Sequence, residues 1–116
     1  MTEHEHTTER VVVVTRVDEG EPDTAEIRDL SRAAGYEVVE EVTQTRTEDP
    51  AYHLGEGKVE AVAAVVADTG ATVVVFDNQL GPYQTFNIGN ELPEGVRVID
   101  RFRLILEIFG QRARTK

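Results

Sequence analysis

Apolar positions along the chain gather in four short blocks, separated by stretches with helical spacing. Val11–Val17 is a β-branched run, as expected for a strand covered on both faces. Asp18-Glu19-Gly20-Glu21-Pro22 interrupts it. Thr24 stands where a helix cap is wanted, and Ile27, Leu30, Ala33 and Ala34 share one face of a helix that Gly35 stops. Tyr36–Val42 predicts a second strand, only partly alternating. Its Glu37, Glu40 and Glu41 suit a sheet edge, where charge discourages pairing with a further strand.

A polar stretch from Thr43 to Gly57 follows. Val59, Val62, Ala63, Val66 and Ala67 then mark a helical face ending at Gly70. Ala71–Asp77 predicts a third strand, again apolar throughout. Asn78-Gln79-Leu80-Gly81-Pro82 is a turn whose proline is placed to open a helix from Tyr83 to about Leu92, despite Gly89 inside it. Val96–Asp100 predicts a fourth strand, and Arg103 to about Thr115 a last helix.

Strand and helix alternating four times predict an α/β fold: a single domain with a four-stranded parallel sheet and helices on both faces. The two runs apolar on both sides belong in the middle and the charged strand outside. The order 2-1-3-4 meets this with right-handed crossovers, and sets the first and last helices on one face and the middle two on the other. Residues 1–9 form a polar lead expected to be disordered, and 10–116 the domain. The last helix is richer in apolar surface than a terminal helix needs: Phe102, Ile105, Leu106 and Phe109 make one stripe, Leu104 and Ile108 another. The extra stripe predicts a further packing partner, either a continuation of the same protein or a second copy pairing through residues 102–116. Arg114-Thr115-Lys116 carries no helix-ending signal, which favours a boundary inside a longer helix.

Composition narrows the setting. Forty per cent of the 116 residues are apolar, enough for one core. No apolar run is long enough to span a membrane, the N-terminus lacks a signal peptide's pattern, and there is no cysteine, so a cytoplasmic protein is expected. The net charge of −10 lies wholly in residues 1–60, with 16 acids against 6 bases. The C-terminal end is basic, with Arg97, Arg101, Arg103, Arg112, Arg114 and Lys116. Only Lys58 and Lys116 are lysines, and an acidic, lysine-poor surface suits a halophilic, high-salt interior, where screening would mute the net charge.

Candidate chemistry is sparse. Gly55-Glu56-Gly57-Lys58 at a helix start offers backbone N–H groups and a cation to an anion. It is not a phosphate-binding P-loop, because Val59 has no hydroxyl for Mg²⁺. The crevice beyond the first and third strands gathers Asp18, Glu19, Asp77 and Asn78, a place for a divalent cation or, at Asp77, a receiver-like phosphoacceptor. A receiver's fifth strand and its lysine are missing. His4, His6 and His53 show no metal-ligand spacing, and His53 falls in a polar loop without an evident carboxylate partner. Asp100 and Arg101 are expected to fix the turn into the last helix.

Three stretches resemble the N-terminal domain of the HflX family of GTPases. Tyr52-His53-Leu54-Gly55-Glu56-Gly57-Lys58-Val59-Glu60 is similar to the family's aromatic–x–Gly–x–Gly–Lys–x–x–Glu segment. Asp77-Asn78-Gln79-Leu80-Gly81-Pro82-Tyr83-Gln84, with Asn87 beyond it, is similar to its Asp–x–x–Leu–Ser–Pro–x–Gln–x–x–Asn, with Gly81 in place of Ser. Val98-Ile99-Asp100-Arg101 through Ile105-Leu106-Glu107-Ile108-Phe109 to Arg112-Ala113 is similar to the third, the most specific, with Phe102-Arg103 replacing a commoner Thr-Gly.

The resemblance implies a longer protein that continues through a helical hairpin into a G domain, binds the large ribosomal subunit and hydrolyses GTP with Mg²⁺. None of the G-domain motifs lies in these residues, so no cofactor is expected in this chain. Its implied role is positioning, through Gly55, Gly57, Lys58, Asp77, Asn78, Asp100 and Arg101. The alternative is a stand-alone ATP- or GTP-binding module that uses the Gly55-Gly57-Lys58 loop.

Overall fold

A computed structural model describes residues 8–114, with side chains as far as Gly110. The expected disorder of the lead therefore falls, for residues 1–7, outside the described residues, as do the side chains of Arg112, Arg114 and Lys116. The elements run β1 (Arg10–Val17), α1 (Ala25–Ala33), β2 (Glu37–Thr45), α2 (Glu56–Thr69), β3 (Val73–Phe76), α3 (Pro82–Glu91), β4 (Arg97–Asp100) and α4 (Arg101–Arg114). The sheet order is β2-β1-β3-β4, with every neighbouring pair parallel.

Alternation along the two central strands divides the core. Val11, Val13, Val73 and Val75 face Ile27 of α1 and Leu104 and Ile108 of α4. Val12, Val14, Val74 and Phe76 face Val59, Val62 and Val66 of α2 and Ile88 of α3. Both faces are fully covered, so neither β1 nor β3 can carry the polar alternation of a half-exposed strand. Among the described residues no helix is long and apolar enough to cross a membrane.

The structure redraws several details. β2 extends three residues past Val42, because Thr43, Gln44 and Thr45 pair with Thr15, Arg16 and Val17 of β1. An edge strand tolerates polar side chains there, so apolar pattern does not reveal its end. A bulge between Val38 and Glu40 explains the imperfect alternation: it lets Val39 and Val42, three apart, both pack towards α2. Thr24 does occupy the N-cap of α1, but makes no side-chain cap. Its hydroxyl donates to Glu41 of β2 at 2.6 Å, and Asp23 accepts from the Ala25 N–H instead, at 2.9 Å. Glu9, at the end of the lead, is bonded to Thr72 and Arg97. On α4, Leu104 and Ile108 enter the core, whereas Phe102, Leu106 and Phe109 are exposed.

Candidate functional site

Beyond the carboxyl ends of β1 and β3 the chain diverges to opposite sides of the sheet, and the polar residues singled out from the sequence collect there. Asn78 continues the sheet with its side chain. Its Oδ1 accepts from the Arg16 N–H at 2.9 Å and its Nδ2 donates to the Arg16 carbonyl at 2.8 Å, taking the place of two ladder bonds where β3 has ended. Parity then sends neighbouring residues to opposite faces.

Asp77 faces the α1/α4 side. There it accepts from Arg101 Nη1 at 2.7 Å, while Arg101 Nη2 reaches Glu26 of α1 at 2.7 Å. Those two carboxylates, with the hydrogen bond to Asp77 foremost, hold the guanidinium pKa above its ordinary value. Asp100 precedes α4 and serves two backbone groups. Its Oδ1 accepts from the Arg103 N–H at 3.0 Å, capping the helix, and its Oδ2 accepts from the Leu80 N–H at 3.0 Å, fixing the turn before α3.

Arg16 faces the α2/α3 side and is almost wholly buried, with its side chain 8% exposed. Its Nε donates to His53 Nε2 at 3.0 Å, and its Nη1 donates to the Arg46 carbonyl at 2.6 Å and to Asp18 at 2.7 Å. His53 is 2% exposed, packs edge-on against Phe76 at 6.1 Å and sits at a left-handed φ of 66°. Glu48 Oε2 lies 3.7 Å from its Nδ1. The sequence reading of His53 as a loop residue without a nearby carboxylate is thus corrected. Burial first, then the Arg16 charge, push the His53 pKa below the usual histidine value, while Glu48 and Asn78 pull the other way.

Asp18 and Asp77 are each neutralised by an arginine, and among the described residues no group of three or more His, Asp or Glu is arranged to hold a metal ion. The signal that reasoning from sequence missed is Arg16 itself. An arginine in a strand buried on both faces needs partners, and its parity points it towards the loop after β2.

That loop, residues 46–55, is fastened from several sides. Asp49 Oδ1 takes the N–H groups of Ala51 and Tyr52 at 2.8 and 2.9 Å, which holds its carboxyl below the ordinary aspartate range. Asp49 and His53 exchange backbone hydrogen bonds of 2.8 and 3.1 Å. From α3, the buried Gln84 donates to Glu48 at 2.7 Å and to the Asp49 carbonyl at 3.0 Å, and Asn87 donates to the Ala51 carbonyl at 3.0 Å. An open groove of about 450 Å³ lies between this loop and the start of α3, lined by Glu48, Pro50, Leu80, Pro82 and Tyr83 among others.

The Gly-Lys segment opens α2 with Gly55 as its N-cap. The Gly55 N–H is already bonded to Gln44 Oε1 at 2.9 Å, and a Cβ there would come within 3.1 Å of Gln44 Nε2. At Gly57 a Cβ would stand in open space. Val59 is buried in the core, so no hydroxyl follows the lysine. Lys58 makes no ion pair among the described residues, and it lies apart from the Arg101–Asp77 side of the edge.

Residues 21–110 match the family model described as GTP-binding GTPase N-terminal. The chain is 47% identical over 107 residues to the GTPase HflX of Thermofilum pendens, covering 89% of this chain and 24% of that one. It is 46% identical over 99 residues to the GTPase HflX of Escherichia coli, covering 84% and 23%. The chain thus spans about a quarter of the length of these curated relatives. The crystal structure of SsGBP in complex with GDP superposes with a TM-score of 0.72 at 24% identity, over 92% of this chain and 31% of that one. At that identity the likeness is one of fold.

Proposed function

The chain belongs to the family of GTP-binding GTPase N-terminal domains carried by HflX GTPases, and on that premise we propose that it is the non-catalytic, positioning domain of a GTP-binding protein that associates with the large ribosomal subunit. The observation that carries this reading is the convergence of the three family-like stretches on one edge of the sheet. Gln84 and Asn87 hold the loop leading into Tyr52, Asp100 holds the turn at Leu80, and Arg101 holds Asp77. Residues so fully engaged with one another shape a surface; they leave no nucleophile or general base waiting for a substrate.

GTP and Mg²⁺ belong to the G domain of the longer protein. The Gly55–Lys58 segment offers them little, since Val59 has no hydroxyl for Mg²⁺ and the Gly55 N–H is already bonded to Gln44. The same two facts disfavour a stand-alone nucleotide module. The surface we assign to the partner has two parts: the start of α2, where Gly57 has open space beside it and Lys58 makes no ion pair among the described residues, and the edge framed by Asp77, Asn78, Asp100 and Arg101. The exposed Phe102, Leu106 and Phe109 are the face we assign to the hairpin and G domain, or to a second copy of the chain when these are absent. The acidic, lysine-poor composition supports a salt-rich cytoplasm, so the unfolding midpoint should rise in molar KCl.

Sedimentation of the purified chain through a cushion with large ribosomal subunits tests the proposal. The chain is expected to pellet with them, and Lys58→Glu to pellet less. Release of phosphate from GTP by the chain alone, or no co-sedimentation at any salt concentration, would overturn it.

A further inference from the structure

We infer that residues 46–55 form an acid-released flap, latched at neutral pH by the buried hydrogen bond from Arg16 to His53. Arg16 is a permanent cation and its Nε–H points at His53 Nε2 from 3.0 Å, so the latch exists only while that nitrogen keeps its lone pair. In the latched state the imidazole proton must sit on Nδ1, which is buried and accepts or donates no hydrogen bond; Glu48, at 3.7 Å, stands too far to take it.

A second proton can go only onto Nε2. It would set donor against donor and a cation against a cation at a ring that is buried and packed edge-on against Phe76. The charged groups that face the ring among the described residues are Arg16 from β1 and Glu48 from the flap. Asp18 engages the far side of the guanidinium, and Asn78 and Phe76, from β3 and the turn after it, are neutral. Glu48 is half-exposed and already accepts from Gln84, so it compensates only in part.

The flap has reason to move once released. His53 is held at a backbone conformation disfavoured for a residue with a Cβ, and Arg16 ties the loop at His53 and at the Arg46 carbonyl, whereas the loop's other side-chain ties, from Gln44, Gln84 and Asn87, are only partly buried. Opening would lift Glu48 and Pro50 from one wall of the groove and loosen the lead into Gly55–Lys58. The partner surface would thereby become dependent on pH.

NMR of the chain between about pH 7.5 and 5.5 reads both parts of the latch. The His53 imidazole, assigned by its absence in His53→Gln, should titrate below the ordinary histidine value of about 6.5. Exchange of the Asp49 and His53 amide protons, corrected for its intrinsic pH dependence, should accelerate by up to about tenfold over that range, the factor set by protonation of the opened state. Amides of β3, which open only with the whole domain, should remain far better protected than those of the flap at every pH. In His53→Gln, which retains an acceptor for Arg16 and does not titrate, the acceleration should vanish. Unchanged flap protection in the native chain, or equal acceleration in the variant, would overturn the inference. Should the variant not fold, a His53 that titrates at or above the ordinary value would do so alone.

Discussion

Two arginines reach over the same edge of the sheet, and they do so in opposite surroundings. Arg101 lies on the α1/α4 side with a third of its side chain exposed, and spans two carboxylates from α1 and the end of β3. Arg16 lies on the α2/α3 side, almost fully buried, and bonds a neutral imidazole, a carbonyl and one carboxylate that is itself exposed. The first looks the stronger pair on charge alone. Yet solvent competes for each of its bonds, whereas removal of Arg16 leaves buried acceptors with nothing to replace it. Ion-pair geometry thus says less about stability than what water can reach.

The largest effect is expected from Arg16→Met. It keeps the aliphatic bulk but strands His53 Nε2 and the Arg46 carbonyl, and should lower the unfolding free energy by about 3 kcal/mol in a denaturant titration. Asn78→Ala comes next, at about 2 kcal/mol, because it removes two hydrogen bonds that complete β1. If both cost no more than a surface substitution, the distinction between the two arginines fails.

A pH series sharpens it. The His53 pKa is depressed in the folded chain, so the unfolded chain takes up its proton first as pH falls below about 6.5. The stability due to neutral His53 is complete above that pH and is lost progressively down to the folded value. Native protein should therefore lose more stability than His53→Gln between about pH 7.5 and 5.5, by up to about 1 kcal/mol. The smallest effect belongs to Arg101→Ala. It should stay within about 1 kcal/mol and shrink further in salt, since Glu26 is mostly exposed. A loss as large as that of Arg16→Met would show that exposure is the wrong criterion.

Much of this architecture is legible along the chain. β1 and β3 are covered on both faces, and that condition forces the valine runs and places these strands centrally. Glu37, Glu40 and Glu41 mark β2 as an edge because only an edge can hydrate them. The end of β2 is not legible, since Thr43–Thr45 are held by the backbone of β1 and need no apolar side chains. The polar edge is half legible. Asp77, Asn78, Asp100 and Arg101 stand at strand ends, where the chain's alternation puts them, and Gln84 and Asn87 belong to a stretch that resembles the family. Arg16 with His53 escaped because their meeting depends on a loop folding back over 37 residues, which no local spacing encodes. His53 also sits among polar neighbours that pattern alone marks as exposed.

The most direct test of the central claim, that this domain positions and does not process nucleotide, is a thermal melt in molar KCl. It would be run with and without ATP or GTP and Mg²⁺, on the native chain and on Lys58→Ala. Anything bound by the folded chain alone must raise its melting temperature. Each protein should melt at the same temperature with and without nucleotide. A rise with nucleotide that disappears in Lys58→Ala would contradict it and turn the Gly55–Lys58 segment into a binding site.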